Sequence, residues 1–146
     1  MKRQGGFTLI EMIVVIVILG ILAVTAAPKF LSFTSEARTA TLKGVEAAIQ
    51  SAANITHGKH VLGQTVTDVT FVEGYPSGAT VSKTFTLSGD MTEFDTAKLP
   101  AGVQTAFGFT SGAGDLDADS GCYVGYVEAT SATGVFSTKV VTTGCN

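Results

Sequence analysis

The sequence predicts an α+β protein in which a long N-terminal α-helix lies across an antiparallel β-sheet. Three observations carry this expectation. An apolar run without a charge extends from Met12 to Val24. The segment PKFLSFTSEARTATLKGVEAAIQSAANITHGK then spaces its apolar residues at helical intervals. From Val61 onward the pattern changes to period two, rich in β-branched residues and punctuated by Gly, Pro and Asp.

The chain opens MKRQGGFTLIEMIVVIVILGILAVTAAPKF. Residues 7–27 are about long enough to cross a bilayer as a helix. Glu11 stands at the front of that run, although a charge at the centre of a membrane helix costs about 2.5–3.5 kcal/mol on insertion scales. Three roles for the segment are open. A secretory signal would be cut near Thr25-Ala26-Ala27, but Glu11 breaks its apolar region and Pro28 would follow the scissile bond. A plain transmembrane helix leaves Gly5-Gly6 and Glu11 without a role. A cut between Gly6 and Phe7 uses every residue: it removes Lys2 and Arg3 and leaves the Phe7 amino group at the head of an apolar helix. On that division residues 1–6 are a leader, 7–28 the apolar half of the helix, and 29–146 a globular domain.

Past Pro28, Phe30, Leu31, Phe33, Ala37, Leu42, Val45, Ala48, Ile49 and Ala52 form one apolar stripe. Glu36, Lys43, Glu46 and Gln50 lie on the polar side, and Gly58 is the expected stop signal. A continuous Phe7–His57 helix would be a rod of about 75 Å at 1.5 Å per residue. No small domain buries such a helix end to end, so its first half needs lipid or other subunits. Gly20 and Pro28 interrupt the rod; proline removes a backbone hydrogen bond, which makes Gly20–Pro28 the expected soft part.

The expected strands are Thr65–Val72, Thr80–Leu87, Val103–Phe109, Cys122–Ala129 and Val135–Val141. YPSG at Tyr75–Gly78 and SATG at Ser131–Gly134 are the expected hairpin turns. Between them, SGDMTEFDTAKLP reads as a short helix capped near Ser88 or Asp90 and stopped before Pro100.

Composition narrows the function classes. Charged residues make up 14%, against about 25% in ordinary soluble domains, so hydroxyls and backbone supply much of the polar surface. The net charge is −3, and Lys2 and Arg3 hold two of the nine positive charges. No basic stretch is interleaved with aromatics, which speaks against a nucleic-acid partner. A nucleophile elbow, a phosphate-cradling glycine loop and a zinc signature are all missing, so no catalytic residue is expected. His57 and His60 read as solvated residues near the helix end.

GAGDLDADSGC alternates Asp115, Asp117 and Asp119, as loops for hard cations do. Ser120 stands where such a loop needs its turn glycine, and Tyr126 stands where it needs a bidentate Glu. A solvated acidic turn is therefore the expectation and calcium the alternative; no other cofactor is called for. Cys122 and Cys145 are an even pair in a chain with an export-type N-terminus, and such cysteines are usually joined.

GGFTLIE resembles the processing motif of type IV pilins and their relatives, and the resemblance continues through MIVVIVILGILAVTAAPKFL. It implies a prepilin peptidase that cuts between Gly6 and Phe7 and methylates the Phe7 amino group. It further implies a precursor in the inner membrane and identical subunits in a helical fibre. An inner-membrane platform with ATPases would drive assembly and retraction. Inside such a fibre Glu11 would meet the Phe7 ammonium of its neighbour, because an unpaired charge there is heavily penalised. Desolvation offsets much of the Coulomb gain, so the pair would set register. The simpler alternative is that Glu11 favours its own helix N-terminus through the macrodipole. In the family's fibres, kinks and local melting occur at positions matching Gly20 and Pro28.

Cys122–Cys145 resembles the disulfide-bounded loop that pilins display on the fibre surface. The stretch from Pro28 to Lys59 is similar to the mannose-sensitive haemagglutinin pilins, as is CYVGYVEAT. That group implies attachment to surfaces and biofilm initiation, with a surface or glycan ligand as a further partner. Met12-Ile13 departs from the commoner Leu-Val without loss of hydrophobicity, and Phe30 and Phe33 stand where other pilins often have Tyr, which removes hydroxyl contacts between packed helices. Two alternatives stay open: a pseudopilin of type II secretion, which the paired cysteines disfavour, and a membrane-anchored binding protein that never polymerises.

Overall fold

The computed structural model describes residues 7–87, 89–94, 99–109 and 121–145, with backbone alone at 27–28 and 30–32. Helix α1, Leu9–Val61, is 53 residues long, a rod of about 80 Å. It starts at Thr8, whose extended backbone and side chain form a capping box with Glu11. The helix passes its expected stop at Gly58 and ends where Gly63 adopts φ +70°. There the Gly63 N–H donates to the His60 carbonyl and the Gln64 N–H to the Lys59 carbonyl. This is the paired closure that glycine permits after a last helical turn.

The rest of the chain makes two sheets. A small hairpin joins β1, Phe71–Val72, to β2, Tyr75–Pro76. The main sheet is antiparallel in the order β3, Met91–Glu93; β4, Thr105–Phe109; β5, Tyr123–Val127; β6, Ser137–Val141. SATG turns the β5–β6 hairpin as expected, bringing Val127 opposite Ser137 and Tyr123 opposite Val141.

Several expectations for the sheet region fail: of Thr65–Val72 only Phe71–Val72 is a strand, and three further elements differ, each for a physical reason. Thr80–Leu87 is not a strand; Val81–Thr84 is a 3-10 turn. The hydroxyls of Thr70, Ser77 and Thr80 bond to one another, and the Thr80 and Val81 N–H groups donate to the Ser77 carbonyl. Side-chain hydroxyls that bond locally divert the backbone from a ladder. YPSG is not the turn either: Glu73-Gly74 turns the hairpin, with φ of +49° and +82°, the positive pair that a tight two-residue turn requires. Within SGDMTEFDTAKLP, Met91–Glu93 is a strand paired with β4, and Met91 and Phe94 are buried; residues 88 and 95–98 lie outside the described residues. Burial of those two apolar side chains overrides a modest helical preference.

Both faces of the main sheet are covered near its centre. On the α1 side Phe107, Val124 and Tyr126 pack with Leu42, Ile49 and Ala53. On the other, Ala106, Tyr123 and Val141 pack with Phe94. Alternate residues of β4 and β5 thus serve two cores. The helix is also held by polar contacts: Thr138 Oγ1 donates to Glu46 Oε1 at 2.8 Å, and Gln50 Nε2 donates to Thr138 Oγ1 at 2.9 Å. The inward line of α1 is Leu42, Val45, Ile49, Ala53 and Thr56, which corrects the expected stripe: Phe33, Ala37 and Ala48 face outward.

Candidate functional site

The N-terminal end of α1 carries the polar groups the sequence singled out. Phe7 is 82% exposed. Glu11 Oε2 accepts hydrogen bonds from the Thr8 N–H at 2.8 Å and the Thr8 hydroxyl at 2.7 Å, while the Glu11 N–H donates to Thr8 Oγ1 at 3.3 Å. In the single chain the carboxylate therefore closes its own helix, which is the simpler alternative in stronger form. Sequence reasoning gave Thr8 no part in this, although Thr8-Leu9-Ile10-Glu11 has the spacing of a capping box. Gly6, the other half of the expected cleavage site, lies outside the described residues.

Beneath Glu11 the side chains are apolar as far as Val24. Leu9–Ala26 has a mean hydropathy of 2.9, and none of it is buried within the chain. Phe7, Ile10, Glu11, Val14 and Val15 line a shallow groove in which the Glu11 carboxylate is the acidic group. Such a surface can sit in lipid or against other apolar helices, and the carboxylate can accept a cation at one defined height. Gly20 and Pro28 both fall within α1, which is assigned helical through each. The Thr25 hydroxyl donates back to the Leu22 carbonyl at 3.0 Å between them.

At the opposite end of the fold, Cys122 and Cys145 form a disulfide with their Cα atoms 4.7 Å apart. Both are buried in the core beside α1. The bond ties the start of β5 to the tail after β6, and the Gly144 N–H donates to the Gly121 carbonyl at 2.8 Å alongside it. Asp115, Asp117 and Asp119 lie outside the described residues. Among the described residues no group of three His, Cys, Asp or Glu side chains is placed to hold a metal.

His57 and His60 are not merely solvated. The His57 ring stacks on Tyr75 at 4.1 Å and its Nδ1 lies 2.8 Å from the Gly74 carbonyl oxygen, while His60 stacks on Phe71 at 4.2 Å. They dock the β1–β2 hairpin on the end of α1. Tyr126 is buried beneath the same hairpin, and its hydroxyl donates to the Pro76 carbonyl at 2.6 Å. Burial, then the negative charge of Glu128 and finally Tyr75 push its pKa well above the usual tyrosine range.

Comparison with known proteins agrees with this geometry. Residues 1–27 match the prokaryotic N-terminal methylation motif. Fimbrial protein Q of Moraxella bovis is 34% identical over 126 residues, covering 83% of this chain and 71% of that protein. The chain belongs to the type IV pilin family. Pilins are structural subunits rather than enzymes, and the helix-on-sheet architecture here is the pilin fold. Other relatives match over shorter stretches. The major component of a type IV narrow pilus of Thermus thermophilus is 48% identical over 50 residues, 34% of this chain and 43% of that one. The type II secretion system core protein G of Pseudomonas aeruginosa is 44% identical over 54 residues, 37% of this chain and 38% of that one. The chain thus spans about two fifths of the length of these two relatives. No solved structure matches it.

Proposed function

We propose that this pilin is the structural subunit of an attachment fibre of the mannose-sensitive haemagglutinin type. The observation that carries the proposal is the apolar helix Leu9–Ala26, wholly unburied in the single chain and headed by Glu11, on a folded and disulfide-closed domain. A prepilin peptidase cuts between Gly6 and Phe7 and methylates Phe7. The precursor waits in the inner membrane until Glu11 exchanges its own Thr8 for the Phe7 ammonium of a neighbouring copy. Partner ATPases at a membrane platform drive assembly and retraction. Gly20–Pro28 is the segment that yields as the fibre bends, and the finished fibre stands outside the cell, where it attaches to surfaces.

Electron microscopy and mass spectrometry of material sheared from cells test this. Fibres built of this chain, beginning at N-methylated Phe7, are the expected result. Glu11→Val should leave cleavage intact and reduce fibres to a small fraction of the normal number. Normal fibre numbers from Glu11→Val would remove the register role.

The similarity to a type II secretion core protein supports a second reading, a short periplasmic pseudopilus. The Cys122–Cys145 bond argues for a pilin instead, because major pseudopilins usually lack it. Secretion of folded enzymes lost on deletion of this chain, with no surface fibre, would favour the pseudopilus.

A further inference from the structure

The apolar span of α1 is bounded by a charge at each end. Glu11 and Lys29 have no charged residue between them, and α1 runs through both. At 1.5 Å per residue they stand about 27 Å apart along the helix, against about 30 Å for the hydrocarbon core of a bilayer. An upright helix therefore sets one charge near each edge of the hydrocarbon, where long side chains reach headgroups and water. Past Lys29 the helix enters the headgroup layer, which adds about 5–7 Å on each side. Phe33 lies about 6 Å past Lys29 and one turn on, along the same side of the helix. Lys29 is exposed and Phe33 is 61% exposed. No acidic residue follows Glu11 until Glu36, about 10 Å past Lys29 and clear of the headgroups. The Arg38 guanidinium sits over the Phe109 ring, 5.7 Å from its centroid, about 14 Å past Lys29. The sheet thus meets the helix above the headgroup layer.

An exposed aromatic ring beside a lysine, with no acid near it and at the rim of an apolar span, has the chemistry of a phospholipid contact. The ring enters the boundary between headgroups and acyl chains, and the ammonium meets lipid phosphate. We propose that Lys29 and Phe33 form a phospholipid-binding collar in the leaflet that faces the folded domain, and that this collar fixes the depth of the helix before assembly. The occupant follows from continuity: the collar extends Leu9–Ala26, eighteen residues with no cover inside the chain. Held at this depth, Glu11 lies near the opposite headgroups and escapes the cost of the bilayer centre. The proposal rests on the membrane-held precursor. It adds to that reading a contact at headgroup level and a height for the domain above the lipid.

The chain has no tryptophan, so a single introduced one reports its own depth. The full chain carrying Leu19→Trp, Phe33→Trp or Ile55→Trp is placed at low density in vesicles of phosphatidylethanolamine and phosphatidylglycerol. The lipid carries a quencher either at the acyl-chain ends or on the headgroup. Leu19→Trp should be quenched chiefly from the chain ends. Phe33→Trp should be quenched at least threefold more by the headgroup label than by the chain-end label. Ile55→Trp, about 33 Å further along the helix, should respond to neither. Adding Lys29→Glu to Phe33→Trp should lower its headgroup quenching at least twofold, and unchanged quenching would remove Lys29 from the site. If Leu19→Trp is quenched while Phe33→Trp emits as in water, the collar is wrong and the membrane reading stands. Phe33→Trp emission that is blue-shifted, unquenched and dependent on protein density would mean that another copy, not lipid, covers the ring. Quenching of Ile55→Trp would overturn the height of the domain. An unquenched Leu19→Trp would remove the membrane reading and the collar with it.

Discussion

Glu11 and Tyr126 show how a single polar group acquires its meaning from what surrounds it. Glu11 in the unassembled chain is satisfied by Thr8, so no free carboxylate stands in the apolar surface. On the proposed assembly, an ionic partner would have to displace those two local hydrogen bonds, and the net gain would be smaller than a bare ion pair suggests. That favours register over affinity as the role of Glu11. Tyr126 is the inverse case, a group kept neutral by burial. Its folded pKa lies above its unfolded value of about 10, so its contribution to stability is complete below pH 10 and declines as pH rises beyond it. The Tyr126→Phe variant should lose this alkaline decline. At neutral pH it should also cost about 1–2 kcal/mol, because the Pro76 carbonyl loses its donor in a buried setting. Thermal melts of the full chain in detergent between pH 7 and 11 measure both effects, and an unchanged alkaline limb would place its origin elsewhere.

The elements divide cleanly into those whose signal is local to the sequence and those decided by the rest of the fold. Helix α1 was legible because its period and apolar content run far longer than any competing pattern. The strands β4, β5 and β6 were legible from β-branched and aromatic residues between glycine signals, and SATG from its turn chemistry. Phe94 was not legible as a core residue, because its place opposite β4 depends on a partner strand distant in sequence. The hydroxyls of Thr70, Ser77 and Thr80 were likewise silent until folding brought them together. The β1–β2 turn was missed for a different reason: it breaks the usual residue preference. Glu73 sits at φ +49°, where Asn or Gly is the ordinary choice. The strain is held by His57 and His60, which fasten the hairpin on both sides. Glu73→Asn should therefore stabilise the folded domain by about 0.5–1 kcal/mol, a rise of a few degrees in melting temperature. A fall would mean that the Glu73 side chain contributes more than its backbone costs.

At the scale of the whole molecule, one helix serves two solvents in turn and one folded domain anchors it. The apolar segment has no cover within the chain, so the domain holds together on a core that, among the described residues, is built from the second half of α1, the four-stranded sheet and Val81 with its neighbours Phe85 and Leu87. In a unit of this size a cross-link contributes a large share of the total. The 23-residue separation of Cys122 and Cys145 encloses the whole β5–β6 hairpin, and closing a loop of that length stabilises by about 3 kcal/mol on the chain-entropy model. The β6 strand is also an edge, so without the bond its last residues are the first to leave the sheet. Replacing both cysteines by serine should lower the unfolding free energy of the detergent-held chain by an amount near that figure. It should also raise amide exchange at residues 137–141 before it affects residues 42–53 of α1. Equal loosening of both regions would show that the bond holds the domain as one cooperative unit rather than fastening its last strand.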